Sequence, residues 1–199
     1  MPSAKDLLHL ASATAERAGE YLRRVDRPRN PADWTAKGRA DWVTDVDRSA
    51  EALIGEALRA GAPGSRIIGE ELTPELATEG LVWIVDPLDG TTNFLHDFPV
   101  YAVSIAAAVD GVLEAAAVLH VPLGRLTTAT RRGGTWEGGR RVAVSTITEP
   151  AHALVGTGFP YTGFTAMEEY LGQFDRVTRG VTGARRPGSA AIDLADVAA

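Results

Sequence analysis

The 199 residues include 26 acidic and 20 basic side chains, for a formal net charge of −6, and 45% of them are hydrophobic. This composition is typical of a soluble globular protein and argues against a general attraction to nucleic acid or to an anionic membrane. The absence of cysteine excludes disulfides, thiolate zinc sites and a cysteine nucleophile. No segment approaches the roughly 18 apolar residues of a membrane span, so we expect a cytoplasmic protein that binds neither nucleic acid nor membrane.

The first part of the chain predicts two amphipathic helices separated by an exposed segment. The first helix runs from Ser3 to about Val25, with apolar residues at three- and four-residue steps and a capping box at its start. The following stretch is rich in Pro, Gly and charge and favours a loose hairpin that carries Lys37. Thr44 and Asp47 form a second capping box, which predicts the start of the other helix.

The middle of the chain predicts a sheet. The apolar runs in "RIIGEE" and "LVWIVD" are typical of buried strands. Hairpin signals follow at Asp110-Gly111 and at Gly138-Gly139, between β-branched segments. We therefore expect an antiparallel meander after the two buried strands.

After Pro150, the sequence predicts a strand in "ALVGTGF", a helix from about Thr165 to Arg179, a turn at "RRPG" and a last helix in "SAAIDLADVAA". The order of elements predicts an α+β fold of stacked layers, with an N-terminal region of residues 1–150 and a C-terminal region of residues 151–199. The apolar residues of the first of these helices are expected to face inward: Met167, Tyr170, Leu171, Phe174 and Val177.

The stretch "VWIVDPLDGTTNF" places Asp86 and Asp89 directly after a predicted strand, in one tight bend. Two carboxylates held close together repel each other unless they share a proton or a cation, and oxygen ligands favour a hard ion such as Mg²⁺. Gly90, Thr91 and Thr92 then begin a helical turn, whose free N–H groups suit a phosphate oxygen. An ordinary solvated turn is the alternative interpretation.

Glu70, in the sequence "GEE", ends the preceding predicted strand in the same way. If the two strands are neighbours, Glu70 lies beside Asp86 and supplies a third ligand. In a two-metal phosphate site a carboxylate bridges the ions, and Asp86 is the natural bridging residue.

Several segments resemble the inositol monophosphatase family, and in particular its bacterial inositol-1-monophosphatase type. They are "WIVDPLDGTTNFLHDFPVYAVSIA", "GEE", "TAKGRADWVTDVD", "LVGTGFPY" and "RRPGSAAIDLADVAA". The resemblance implies a layered αβαβα sandwich of the inositol monophosphatase and sugar phosphatase type. It also implies an Mg²⁺-dependent, lithium-sensitive phosphomonoesterase, usually a homodimer, with inositol monophosphate as the first choice of substrate.

The resemblance also implies the metal ligands. Glu70, Asp86 and the backbone carbonyl of Leu88 would hold the first metal ion, and Asp86 with Asp89 would supply most of the second site. Asp89 would in addition contact the substrate.

The same resemblance implies roles for the neighbouring residues. Gly90 and Thr91 would bind phosphate through backbone amides, next to Thr92. Thr91, paired with Asp47, would orient the attacking water and help to deprotonate it, assisted by Glu70. Lys37 would influence a third, weaker metal site, with a solvated lysine as the equal alternative.

Two departures from the family pattern qualify these expectations. The family's second signature, a Trp-Asp pair that completes the second metal site, is absent from this sequence, which we therefore expect to be C-terminally incomplete. Asp97 stands where a glycine is common. The alternatives left open are another phosphatase of the superfamily, acting on histidinol phosphate, fructose 1,6-bisphosphate or a 3′-phosphoadenosine nucleotide, and a non-catalytic scaffold.

Overall fold

The computed structural model describes residues 2–28, 30–38, 41–70, 78–159 and 167–199. Its helices are α1 Ala4–Arg24, α2 Asp45–Gly61, α3 Thr91–Leu95, α4 Met167–Gly180 and α5 Ala190–Val197. Its strands are β1 Thr35–Gly38, β2 Asp41–Val43, β3 Arg66–Gly69, β4 Leu81–Asp89, β5 Ala102–Val109, β6 Val112–His120, β7 Arg125–Thr130, β8 Gly134–Glu137, β9 Arg140–Val142, β10 Leu154–Gly156 and β11 Gly183–Arg185.

A seven-stranded sheet in the order β3-β4-β5-β6-β7-β8-β9 forms the centre of the fold. β3 runs parallel to β4, and each later neighbour is antiparallel. The β5–β6 turn uses Asp110 and Gly111 with positive φ angles of 48° and 77°, the backbone that a tight hairpin requires. The predicted antiparallel meander is therefore confirmed.

Helices α1 and α2 pack against each other and against this sheet, α1 on β5, β6 and β7 and α2 on β4. Both predicted capping boxes are present, with Ser3 bonded to Asp6 and Thr44 bonded to Asp47. Trp83 is fully buried, and its indole N–H donates to Ser65 Oγ at 3.2 Å. Burying each large apolar side chain contributes about 1.5–3 kcal/mol. The core that contains Trp83 also includes Leu7, Leu22, Ile54, Leu58, Val103, Ile105 and Leu119.

The C-terminal region agrees with the predicted order but differs in detail. Strands β10 and β11 form a separate parallel pair, so Arg185, predicted in a turn, instead ends a strand. The predicted inward face of α4 is wrong for Met167, Leu171 and Val177, which are 40%, 52% and 48% exposed. The other two residues of that face, Tyr170 and Phe174, are half-buried. Helical periodicity identifies residues that share a face, but it does not tell whether another element covers that face.

The segment carrying Lys37 forms the predicted hairpin, β1 antiparallel to β2. No helix in the described ranges is long and apolar enough to cross a membrane.

Asp97 lies in the connection between α3 and β5 with a positive φ of 57°. Its carboxylate contacts the Arg27 guanidinium, which also donates to the Tyr101 hydroxyl at 3.1 Å and lies 5.1 Å above the Phe94 ring. The Asp97 side chain is 75% exposed, so this ion pair contributes about 1 kcal/mol or less. The left-handed backbone conformation of Asp97 costs about 1 kcal/mol of unfolding free energy, so it nearly cancels the contribution of the ion pair.

We accordingly expect Asp97→Gly to unfold in urea at nearly the same concentration as the wild type, because glycine relieves the backbone while the ion pair is lost. Asp97→Ala loses the ion pair and keeps the strain, and it should be about 1 kcal/mol less stable than Asp97→Gly. An alanine variant as stable as the glycine variant would show that the backbone at this position is not strained.

Candidate active site

The carboxyl ends of β3 and β4 bring together the acidic residues singled out in the sequence. The two strands are parallel, and Gly69 pairs with Val85. Glu70, which follows β3, and Asp86 of β4 therefore lie side by side, as expected if the two strands are neighbours. Asp89 follows at the end of β4.

A bulge separates the two aspartates of β4. Asp86 pairs with Ser104 of β5 and Asp89 with Ala102, so three steps along β4 match two along β5. Pro87 lies inside this irregularity, where its missing N–H removes a hydrogen bond from the ladder. The bulge turns β4 towards the start of α3.

Asp86 is the electrostatic centre of the cluster. Burial, followed by the neighbouring charges of Glu70 and Asp89, raises the pKa of its carboxyl to about 8. The hydrogen bond from the Leu88 N–H to Oδ1, at 3.1 Å, lowers this pKa and only partly offsets these effects. Near neutral pH, Asp86 therefore needs a proton or a cation beside it.

This donor set fits a hard cation, because carboxylate and carbonyl oxygens are the ligands that Mg²⁺ prefers. Within the described ranges, no three Asp, Glu or His side chains already stand together as a metal-binding group. One oxygen of Asp89 is turned away to α5. The Leu88 carbonyl lies 3.1 Å from the Thr91 hydroxyl and shares its single proton with Asp47, which is closer at 2.8 Å. With Asp89 held in this orientation, a shared ion requires rotation of the Glu70 or Asp86 side chain towards its other oxygen.

Asp47 and Thr91 connect the start of α2 to the start of α3. The Thr91 hydroxyl donates a hydrogen bond to Asp47 Oδ1 at 2.8 Å. The other oxygen of Asp47 accepts from the Thr44 N–H at 2.8 Å and from the Thr44 hydroxyl at 2.6 Å. Asp47 is 2% exposed, and burial raises the pKa of its carboxyl. The capping carboxylate of α2 thus also fixes the hydroxyl of Thr91.

Gly90 precedes α3 in a left-handed conformation, with φ at 98°. A Cβ at this position would lie 2.9 Å from the Val100 carbonyl oxygen and 3.3 Å from that of Gly188. The first N–H groups of any helix lack intrahelical partners, and the exposed Thr92 lies in this first turn. The start of α3 is therefore a close-packed backbone turn that presents N–H donors.

Gly90→Ala is expected to destabilise the protein more than Gly80→Ala. Both glycines have positive φ, 98° and 70°, but a Cβ at Gly80 would have no heavy atom within 4 Å. Gly80→Ala should therefore cost about 1–2 kcal/mol of unfolding free energy from backbone strain alone. Gly90→Ala should cost a further 1–3 kcal/mol or so, because backbone oxygens must move.

Urea unfolding of the two variants measures this difference directly. Equal losses of stability in the two variants would mean that the Val100 carbonyl moves at no cost and does not restrict the residue at position 90.

Ser189 and Asn93 are site residues that the sequence did not single out. Asp89 Oδ2 accepts from the Ser189 hydroxyl and from the Ala191 N–H, both at 2.6 Å. Asn93 Nδ2 donates to the Pro187 carbonyl at 2.9 Å. A serine before a helical run signals an N-cap, but nothing in the sequence indicates that its hydroxyl reaches a residue 100 positions earlier.

The remaining predicted site residue, Lys37, belongs to β1, and its side chain lies outside the described residues. The second glutamate of "GEE", Glu71, also lies outside them. The described structure thus brings together Glu70, Asp86 and Asp89 on one side, and Asp47 with Thr91 on the other.

The sequence model of the inositol monophosphatase family matches residues 3–199. The chain therefore belongs to the inositol monophosphatase family, which confirms the resemblance and the layered α+β fold. Membership supports phosphatase activity of this superfamily, on small phosphate esters, and the family is in general metal-dependent.

Some relatives are named as SuhB proteins and others as inositol monophosphatases. Nus factor SuhB of Pseudomonas aeruginosa is 41% identical over 198 residues, covering 97% of this chain and 73% of that protein. Inositol-1-monophosphatase of Rhizobium meliloti is 39% identical over 194 residues, covering 97% of this chain and 73% of that protein. The crystal structure of extragenic suppressor protein suhB from Bartonella henselae matches with a TM-score of 0.87 at 34% identity, covering 96% of this chain and 73% of that one.

Proposed function

We propose that the protein is an Mg²⁺-dependent, lithium-sensitive phosphomonoesterase that hydrolyses a small polyol phosphate, with inositol monophosphate as the preferred substrate. The observation that carries the proposal is the half-buried Asp86 carboxyl, whose pKa is raised to about 8 beside Glu70 and Asp89. Burial and the neighbouring carboxylates destabilise the ionised form of this group, and a bound cation would stabilise it. Family membership supplies the reaction class.

Glu70, Asp86 and the Leu88 carbonyl would hold one ion, and Asp86 with Asp89 would contribute to a second. Mg²⁺, when bound there, neutralises negative charge on the attacking and departing oxygens of the phosphate ester. Asp89 also faces the substrate. The backbone N–H groups at the start of α3 receive the phosphate oxygens, since they lie directly after the carboxylates in the chain.

The Asp47–Thr91 pair handles the proton of the attacking water. The Thr91 hydroxyl donates to Asp47 at 2.8 Å, so its oxygen lone pairs remain to accept a hydrogen bond from water. Burial raises the pKa of Asp47, which makes this carboxylate a better base. The water is therefore oriented by Thr91 and loses its proton towards Asp47, with Glu70 assisting.

Other substrates of the superfamily are the first alternatives: histidinol phosphate, fructose 1,6-bisphosphate and 3′-phosphoadenosine nucleotides. A non-catalytic role is the second, and it is favoured by the name Nus factor SuhB of a relative that is 41% identical. A homodimer and the role of Lys37 in a third metal site remain predictions from the resemblance, and a cytoplasmic location remains a prediction from the sequence.

Phosphate release from inositol monophosphate, with Mg²⁺ or with a chelator, tests the proposal. We expect Mg²⁺-dependent release by the wild type, faster than from the alternative substrates, and a loss of at least 100-fold or so in Asp89→Asn. Asp45→Asn is the matched control, since the Asp45 side chain is 98% exposed and pairs only with Arg48 in the described structure. Equal rates in wild type and Asp89→Asn would refute the mechanism.

A further inference from the structure

We propose that Ser189 is a positioning residue that holds Asp89 with one carboxylate oxygen committed to α5 and the other available to a cation, so that α5 docking and cation binding stabilise each other. This inference rests on the proposed function of the same site. It concerns a residue outside the predicted ligand set.

The hydroxyl of Ser189 has a defined direction. Ser189 is the N-cap of α5, and its Oγ accepts from the Ile192 N–H at 3.4 Å. The hydroxyl proton is therefore available to Asp89 Oδ2, which lies 2.6 Å away. Ser189 is only 1% exposed, so water does not compete for this hydrogen bond.

Asp89 Oδ2 receives a second donor from α5. The Ala191 N–H, in the first turn of the helix, lies 2.6 Å from the same oxygen. Asp89 thus sits at the positive end of α5, where a carboxylate is favourable. Among the described residues, no hydrogen bond is made to Oδ1, so this is the oxygen that remains for a cation.

A third hydrogen bond fastens the segment before α5 to the same motif. Asn93 Nδ2 donates to the Pro187 carbonyl at 2.9 Å and to the Val100 carbonyl at 2.7 Å. A Cβ on Gly90 would lie 3.3 Å from the Gly188 carbonyl oxygen. The start of α5 is therefore held tightly against the bend that carries Asp89.

This arrangement matches the way that outer residues tune metal ligands. Partners that hydrogen-bond a ligating carboxylate fix its orientation, and their loss typically lowers metal affinity about 10–100-fold. Because binding energies are reciprocal, a cation on Asp89 must also strengthen the docking of α5. A residue that merely caps α5 would affect folding and leave cation affinity unchanged.

The test compares Mg²⁺ affinity, measured by calorimetry, in the wild type, Ser189→Ala and Ser189→Thr. Ser189→Ala is expected to weaken Mg²⁺ binding about 10-fold, and Ser189→Thr, which keeps the hydroxyl, should restore it to within about twofold. In phosphate release, the Mg²⁺ concentration for half-maximal rate should rise by the same factor, while the rate at saturating Mg²⁺ changes little.

Ser3→Ala is the matched control, because Ser3 caps α1 through the same kind of hydrogen bond. It should lower the melting temperature and leave Mg²⁺ affinity unchanged. If Ser189→Ala does not fold, Ser189→Gly replaces it, since glycine keeps most of the N-cap preference without the hydroxyl.

Unchanged Mg²⁺ affinity in the folded Ser189 variant, with a lowered melting temperature, would overturn the inference and leave the proposed function standing. Failure of the wild type to bind Mg²⁺ would overturn both.

Discussion

Asp86→Asn is expected to abolish Mg²⁺-dependent phosphate release and, at the same time, to stabilise the metal-free protein at alkaline pH. Asp86 lies between Glu70 and Asp89 in the proposed site, and these charges together with burial raise its pKa to about 8. Removing the central ligand should cost several kcal/mol of transition-state stabilisation, roughly 1,000-fold in rate. Removing the Asp86 charge also removes its repulsion with Glu70 and Asp89, which stabilises the metal-free protein at alkaline pH.

The pH dependence has a definite sign. The ordinary pKa of an Asp is 3.8, and that of Asp86 in the folded protein is about 8. Between these values the folded state retains a proton that the unfolded state has released, so the unfolding free energy falls as pH rises. The fall approaches about 1.4 kcal/mol per pH unit for one proton and ends above the folded pKa.

Urea unfolding of metal-free wild type and Asp86→Asn, at about pH 5, 7 and 9, measures this effect. The variant should lack the part of the pH dependence that Asp86 causes, whereas Asp45→Asn should retain it. Asp47 and Asp193 also have raised pKa values, but they are present in both proteins and cancel in the comparison. Parallel curves for wild type and Asp86→Asn would contradict this account of the site.

Asp47→Asn is expected to lower the rate of phosphate release by about 100- to 10,000-fold, the usual contribution of a positioned base, with little loss of stability. The amide oxygen can still accept from the Thr44 N–H and hydroxyl, which now bond one oxygen of Asp47 at 2.8 Å and 2.6 Å. The amide nitrogen then faces Thr91 as a donor. The Thr91 hydroxyl therefore loses its closer acceptor and turns to the Leu88 carbonyl, 3.1 Å away.

Asp47→Ala separates the two roles of this residue. It removes the capping box as well, and should lose about 0.5–2 kcal/mol of stability in addition to the activity. The measurements are kcat for inositol monophosphate and urea unfolding of both variants. An Asp47→Asn variant that keeps wild-type kcat would exclude Asp47 from proton transfer.

The elements that the sequence predicted well are those specified by neighbouring residues. Ser3 and Thr44 each form the predicted capping box, because both partners lie within one turn. The sequence predicted strands β3 and β4 and placed Glu70 beside Asp86 on the condition that the two strands are neighbours, and their parallel pairing fulfils that condition.

The features that the sequence did not predict depend on contacts between distant segments. The bond from Ser189 to Asp89 spans 100 residues, and local patterns carry no information about such a pairing. The exposed face of α4 has a related cause. The helical spacing of apolar residues such as Leu171 identifies a shared face, but it does not show whether another element packs against that face. Asp97 departs from the family pattern in the sequence itself, but its contact with Arg27 spans 70 residues and could be identified only from the folded structure.

The most direct test of the central claim is a calorimetric titration of the protein with Mg²⁺ at about pH 7, in two buffers of different protonation enthalpy. The pKa of Asp86 in the metal-free protein is about 8, so Mg²⁺ must displace its proton. We expect the wild type to bind Mg²⁺ with release of nearly one proton, and Asp86→Asn to bind far more weakly without release. Binding of equal strength and equal proton release in the two proteins would contradict a cation site at Asp86.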